Sequence, residues 1–322
     1  MTKCIAFHSY KGGTGKTTLA GNFAAVLAKS GFRVCLLDLD VYAPSLQSYF
    51  MIEPKKWIND YLYSEADIGD VMQDLTPKVS EINLENKEIQ TTATTATTTT
   101  TTSPRGSEGD VKGKLWVGFS NAKKEEIYKL EGGADTTRKQ FLRRFILLRE
   151  QLITNYDADY IVIDTSPGIR YWSINALAVA DILFLTLKAG DLDIEGTKKM
   201  AEEIYSSFTK FGTKSFLLLN RVSGYCAPSP LIVRPEGTSN KSVPSTFIIE
   251  KAEDTDNMLA REVRMKIMSS IPCYCDIQFL RKEFLTALKY PAHPFAKKIE
   301  GLTDSLTKTA GQLQDVNRPE YD

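Results

Sequence analysis

Nine residues near the N-terminus, Tyr10-Lys11-Gly12-Gly13-Thr14-Gly15-Lys16-Thr17-Thr18, carry three glycines and two lysines and follow, after Ser9, an apolar run from Cys4 to His8. From Thr17 to Lys29 the chain reads as an amphipathic helix, so this loop stands at a strand-to-helix junction. Glycine there lets the backbone turn tightly and aim successive N–H groups at one point, and the helix N-terminus adds a favourable dipole. The chemistry that suits this arrangement is the holding of phosphate oxygens. Lys16 is then placed to bridge the β- and γ-phosphates of a triphosphate and the Thr17 hydroxyl to ligate Mg2+, with Gly12, Gly13, Thr14, Gly15 and Thr18 completing the cradle. The competing reading is a glycine turn with incidental lysines.

Carboxylates recur at the ends of two further apolar runs. Asp38 and Asp40 close the run that begins at Val34, in the segment Asp38-Leu39-Asp40-Val41-Tyr42-Ala43-Pro44-Ser45-Leu46. Two residues apart on a continuing strand, they face the same way, and both lie at the carboxyl end of the sheet where ligands bind in open α/β folds. A strand-end pair that caps the next helix is the alternative. Asp164 ends the run Ile161-Val162-Ile163 and precedes Thr165-Ser166-Pro167-Gly168. A carboxylate at that point can hold Mg2+ directly or through water, and the Pro-Gly turn offers a backbone able to sense a γ-phosphate.

The usual G-x-x-x-x-G-K-[ST] pattern is not met in full, because Tyr10 stands where the first glycine belongs. Lys11 directly before Gly12-Gly13 matches the deviant form of that loop instead, and on these residues the chain resembles the MinD/ParA family, which includes ArsA, nitrogenase-iron-protein and Mrp-like branches. The resemblance covers Met1 to Phe50 and about Leu115 to Leu306. It implies that Lys11 reaches the nucleotide of a partner subunit, hence a homodimer, and that Asp40, in a segment similar to the first switch of the family, orients the attacking water. Asp164 takes the Walker B position, and Ser166 replaces the first proline of the second-switch pattern Asp-x-Pro-Pro-Gly. Thr17, Asp40 and Asp164 are thereby the expected Mg2+ set. Asn220, after the buried run Phe216 to Leu219, matches the base-reading asparagine, and Pro272 in Ile271-Pro272 resembles a second adenine-side contact. A guanine reader of the Asn-Lys-x-Asp type needs Asp at 223, where this chain has Ser223, so ATP is the expected nucleotide.

The implied activity is hydrolysis of ATP to ADP and phosphate by a nucleotide-gated dimer that positions or partitions a cargo under a protein activator. Lys11, Lys16 and Asp40 are the expected catalytic residues. A second branch of the resemblance, an Mrp-like iron-sulfur carrier, rests on Cys226 and on Cys273-Tyr274-Cys275. The Cys-Pro-x-Cys spacing is incomplete there, and structural cysteines are the competing reading.

The elements that must position these residues follow from pattern. Apolar runs at Cys4–His8, Val34–Leu39, Leu115–Phe119, Tyr160–Asp164, Ile182–Leu187, Phe216–Asn220 and Ile267–Ile271 are strand length without strict alternation, as strands covered on both faces are. Amphipathic stretches at Thr17–Lys29, Thr136–Asn155, Asp193–Lys210 and Pro294–Leu313 serve as crossover helices, and Trp57–Val79 reads as helical pieces at the sheet edge. The fold class is α/β, doubly wound with a mostly parallel sheet, a P-loop NTPase over residues 1–322 as one domain. Thr91–Gly109, which opens on a tract of Thr and Ala alone, is expected to be a disordered insertion, and 223–246, with its four prolines, a surface loop.

Composition bounds the partners. Forty basic and forty acidic residues give no net charge, so no global field favours DNA, RNA or an anionic membrane, although a local basic patch for DNA stays open. Nowhere do about eighteen apolar residues run together, as a spanning helix needs. The segment Lys297–Asp322, punctuated by Gly301 and Gly311, is neither basic nor continuously amphipathic as a membrane-targeting helix would be. There is no room before the glycine loop for a signal peptide, and five scattered cysteines fit a reducing compartment, so the cytoplasm is expected. With only His8 and His293 present, histidine-based metal sites and Ser-His-Asp catalysis have little support.

Overall fold

The apolar runs pair into one sheet because most of them are hydrophobic on both sides and have to be covered twice. The structure, a computed structural model, describes residues 1–83, 111–131, 135–188, 191–210, 212–222, 256–274, 277 and 285–315. The strands are β1 (Lys3–His8), β2 (Arg33–Leu39), β3 (Met72–Asp74), β4 (Lys114–Gly118), β5 (Tyr160–Thr165), β6 (Ile182–Leu187), β7 (Lys214–Val222) and β8 (Ile267–Pro272). They lie in the order β3-β4-β2-β5-β1-β6-β7-β8, and every pair is parallel except β3 with β4. The helices are α1 (Lys16–Lys29), α2 (Leu46–Phe50), α3 (Ile58–Leu62), α4 (Ile68–Val71), α5 (76–83), α6 (Lys124–Glu131), α7 (Asp135–Tyr156), α8 (Tyr171–Ala178), α9 (Asp191–Met200), α10 (Ser206–Lys210), α11 (256–263), α12 (Thr286–Lys289) and α13 (Pro294–Asp315).

Side-chain alternation along each strand divides the core in two. Ile5, Phe7, Val34, Leu36, Val162 and Phe184 face α1 and α13, where Leu19, Phe23, Leu27, Phe295, Ile299 and Leu302 meet them. Cys4, Ala6, Cys35, Leu37, Ile161 and Ile163 face the other way, against Phe145 and Leu152 of α7 and Trp172 of α8. Burial of one such leucine or phenylalanine side chain contributes roughly 1.5–3 kcal/mol. Cys4 and Cys35 are buried thiols that behave as small hydrophobes, as their apolar settings suggest.

Two expectations need correcting, and a third, the amphipathic helix at Pro294–Leu313, is met. The stretch Trp57–Val79 is helical in α3, α4 and the start of α5, but Met72–Asp74 is a strand. It pairs antiparallel with β4 (Met72↔Gly118, Asp74↔Trp116), and three residues are too few to show a period. The run Asp193–Lys210 is not one uniform helix, since α9 and α10 are separated by a π-helical turn, Ala201–Tyr205, which turns Tyr205 into the core. Pro294–Asp315 is a single helix through Gly301 and Gly311, and it is amphipathic, with its apolar stripe from Phe295 to Leu306 buried on the sheet. Glycine weakens a helix by about 1 kcal/mol without breaking it when packing holds the rest. The insertion 91–109 and the loop 223–246 lie outside the described residues.

Candidate functional site

Register brings the ends of β1, β5 and β2 level: Phe7 sits beside Asp164, and Asp164 beside Asp38. The glycine loop leaves β1 at this level and enters α1. Gly15 is the N-cap of that helix at φ 91°, and no side chain caps the first turn, so the N–H groups there are not spent on one. An uncapped first turn beneath a glycine loop is an anion site. Gly13 also lies in the left-handed region, at φ 74°, and Gly12 and Gly13 are exposed above.

Lys16 points into the site from the first turn. Its side chain is buried, and Nζ donates to Ser9 Oγ at 3.0 Å while Ser9 Oγ donates to the Lys11 carbonyl at 2.6 Å. Ser9 thus ties the two lysine positions together, a role the sequence did not signal. Burial lowers the pKa of Lys16, and the carboxylates Asp164 and Asp40 act in the opposite sense. Their charges are therefore close to the ammonium.

Asp164 is fully buried, and neither carboxyl oxygen has a hydrogen-bond donor among the described residues. Desolvation pushes its pKa up to about 7; the Thr17 hydroxyl and Lys16 draw it down, and Asp40 pushes it up. Thr17 stands near enough to favour the anion but falls short of a full hydrogen bond, because both oxygens stay unsatisfied by geometry. An orphaned buried carboxyl beside a lysine and a threonine hydroxyl suits a cation. Thr17, Asp40 and Asp164 fit Mg2+, which keeps several of its waters and needs few protein oxygens. Among the described residues no group of three or more His, Cys, Asp and Glu side chains is placed to hold a metal ion.

Asp38 takes the capping alternative. Its carboxyl accepts from Asp40 N at 3.1 Å and from Leu46 N, the first residue of α2, at 3.3 Å, and Ser120 Oγ donates to its carbonyl at 2.6 Å. Burial, then the neighbouring charge of Asp164, raises its pKa well above the carboxylate range. Asp40 is nearly buried and accepts at Oδ1 from Ala43 N at 3.2 Å and from Ser166 Oγ at 2.8 Å.

Asn220 lies at the flank of the loop. Its Nδ2 donates to the Thr14 carbonyl at 2.7 Å and its Oδ1 accepts from Arg221 N at 3.0 Å. A Cβ on Gly15 would come within 2.4 Å of that amide, which explains glycine at this position as a close approach as well as a left-handed turn. Pro272 ends β8, where it pairs with Val222 of β7, and is half-buried. Cys226 and Cys275 lie outside the described residues, and Cys273 is half-buried.

Two further contacts had no motif to announce them. The ring of Tyr10 packs on α9 so closely that a Cβ at Gly196 would lie 1.9 Å from it. His8, at the end of β1, is buried, and its Nδ1 lies 2.7 Å from Thr165 Oγ1, whose proton goes to the Phe7 carbonyl at 2.8 Å. Burial, then Lys16, lowers the His8 pKa to about 3, so the ring stays neutral.

The family model described as the CobQ/CobB/MinD/ParA nucleotide binding domain matches residues 5–227. The chain is 44% identical over 73 residues to an uncharacterized ATP-binding protein of Methanocaldococcus jannaschii, which covers 22% of this chain and 28% of that one. It is 26% identical over 206 residues to the sporulation initiation inhibitor protein Soj of Bacillus subtilis, covering 63% of this chain and 65% of that one. The match thus spans less than two thirds of the length of either relative. Among solved structures, the septum site-determining protein MinD of Pyrococcus horikoshii, complexed with Mg-ADP, superposes with a TM-score of 0.62 over 97% of this chain and 98% of that one, at 18% identity, a likeness of fold. By the family-model match over residues 5–227, the chain belongs to the CobQ/CobB/MinD/ParA nucleotide-binding family.

Proposed function

We propose that this protein, as one domain, binds Mg-ATP at the loop after β1 and hydrolyses it as a nucleotide-gated homodimer that positions or partitions a cellular cargo. The observation that carries the reading is the buried Lys16 ammonium, set in the uncapped first turn of α1 beside Asp40 and the orphaned carboxyl of Asp164. A buried cation in such surroundings is stabilised by a phosphate dianion better than by the single serine hydroxyl it now touches.

Transfer of the γ-phosphoryl group to water needs positioning and charge neutralisation rather than a covalent intermediate. The loop amides and Lys16 hold the triphosphate. Asp40 accepts a hydrogen bond from the attacking water and fixes its direction. Lys11 of the second subunit meets the charge that develops on the leaving oxygens, so turnover is fast only in the dimer. Thr17, Asp40 and Asp164 would hold Mg2+, directly or through its waters, and the ion would add to the neutralisation of the phosphates. Asn220 and Pro272 flank the position of the base, with Asn220 exchanging its contact to Thr14 for one to adenine. The name of the MinD neighbour, a septum site-determining protein, supports a positioning role. The readers of the nucleotide state, whether protein partner, DNA or membrane, are separated by adding each to the ATPase assay.

Calorimetric titration with ATP and with a non-hydrolysable analogue tests the reading. Wild-type protein should bind both in the presence of Mg2+. Lys16→Ala should lose binding, whereas Lys11→Ala and Asp40→Ala should keep it and turn over at least about tenfold more slowly, near 1.4 kcal/mol in the barrier. Wild-type protein with no affinity for either nucleotide would end the proposal.

A further inference from the structure

Ser166 occupies the first position after β5 and is fully buried. Its hydroxyl lies 2.8 Å from Asp40 Oδ1 and 3.4 Å from the Leu39 carbonyl. A hydroxyl has one proton to give, and the shorter, charge-assisted contact takes it. Ala43 N donates to the same oxygen at 3.2 Å, so Oδ1 carries two donors, while among the described residues Oδ2 carries none. The carboxylate is held by one oxygen and leaves the other to accept from water.

The hydroxyl is itself held in place. The Ser166 carbonyl accepts from Ser173 Oγ of α8 at 3.0 Å. On one side Thr165 Oγ1 donates to the Phe7 carbonyl at 2.8 Å, and on the other Gly168 N donates to the Ser9 carbonyl at 2.9 Å. The loop after β5 is therefore pinned to β1, to the start of the phosphate loop and to α8, with the Ser166 side chain fixed between them. A second link joins the same two loops four residues on, where the Arg170 guanidinium lies 4.0 Å from the centre of the Tyr42 ring.

We propose that Ser166 is a positioning residue for hydrolysis: its hydroxyl locks the Asp40 carboxylate in the orientation from which the free oxygen directs the attacking water. The inference rests on the ATPase reading above. In the step it serves, the water oxygen forms a bond to the γ-phosphorus and the bond from that phosphorus to the bridging oxygen breaks, its electron pair passing to ADP. The water proton ends on the phosphate released. Ser166 touches neither water nor phosphate and acts only through Asp40, so its loss changes turnover and not the hold on ATP.

The experiment measures kcat by phosphate release and the affinity for a non-hydrolysable ATP analogue by titration, in the full chain. Ser166→Ala is expected to lower kcat by about tenfold or more, the worth of one hydrogen bond to a charged group, with affinity changed by less than about twofold. Ser166→Thr, which restores the hydroxyl, should return kcat to within about threefold of wild type. Asp40→Asn combined with Ser166→Ala should be no slower than Asp40→Asn alone, since the two act as one unit. Should Ser166→Ala fail to fold, Ser166→Cys offers a weaker donor of similar volume and should show the same split between kcat and affinity. An unchanged kcat in the alanine or cysteine variant, a threonine variant as slow as alanine, or additive losses in the double variant would each overturn the proposal. Wild-type protein that binds no ATP would overturn the ATPase reading and this role with it, whereas wild-type turnover untouched by Ser166→Ala removes this role alone.

Discussion

Three buried carboxyls, Asp38, Asp40 and Asp164, stand at the ends of β2 and β5 beside the buried Lys16 ammonium of α1, and the titration of Asp38 and Asp164 has a measurable consequence. Burial is the largest cause that lifts Asp164 from 3.8 to about 7, and burial followed by the nearby Asp164 charge lifts Asp38 in the same direction. A carboxyl whose pKa is raised on folding binds its proton more tightly in the native state. Its contribution to stability is full below the unfolded value and is lost as pH rises through the folded value. In protein free of nucleotide and Mg2+, stability should therefore fall as pH rises from about 4 to about 7. Asp164→Asn should flatten that slope and raise the melting temperature at pH 8 by roughly 3 °C or more, while abolishing any stabilisation by Mg2+ with nucleotide. Thermal denaturation across pH reads both effects, and a variant that melts lower than wild type at pH 8 would contradict the assignment of Asp164 as an uncompensated charge. The placement of the loop and the acids at the strand ends was legible because it depends on local spacing. Ser9, Ser166 and Gly196 were not, because each acts through a partner whose position only the fold supplies: Ser166 meets Asp40 across 126 residues of chain.

At the scale of elements, α9 bears directly on the phosphate loop. The Tyr10 ring lies on the bare backbone of Gly196, and Tyr10 immediately precedes Lys11. A methyl group there has no room unless the ring moves. Gly196→Ala should cost about 1–3 kcal/mol by overpacking, or else expel the ring and shift Lys11, seen as slower turnover at kept ATP affinity. Tyr10→Ala combined with Gly196→Ala should recover part of the stability, since the clash is then gone. Equal melting temperatures and turnover for wild type and Gly196→Ala would show that the contact does not constrain the loop. Seven of the strands could be read from runs of five residues or more, because burial on both faces leaves a nearly continuous apolar signal in all but the edge strand β8, whose run includes Ser269 and Ser270 and is mostly half-buried. β3 could not, as its three residues are defined by pairing with β4 rather than by their own pattern. The long helix α13 was legible from its amphipathic pattern despite two glycines, and the sheet face that holds Phe295, Ile299 and Leu302 stabilises it through them.

At the scale of the molecule, the sheet carries two main cores, one on each face, and the phosphate loop springs from β1, one of its two central strands, at the level where the loops after β2 and β5 converge. Such a chain holds nearly every proposed part of the site itself. The exception is the signature lysine, which the account assigns to the other subunit. Lys11→Ala and Asp40→Ala would each silence both sites of a homodimer, but a mixed dimer would contain one site with its own Asp40 and a wild-type Lys11 from across the interface. The most direct measurement is the ATPase rate of an equimolar mixture of these two variants. Recovery to about a quarter of the wild-type rate is expected, since half of randomly paired dimers are mixed and each has one working site. A mixture as inactive as either variant alone, in protein shown to exchange subunits, would contradict it.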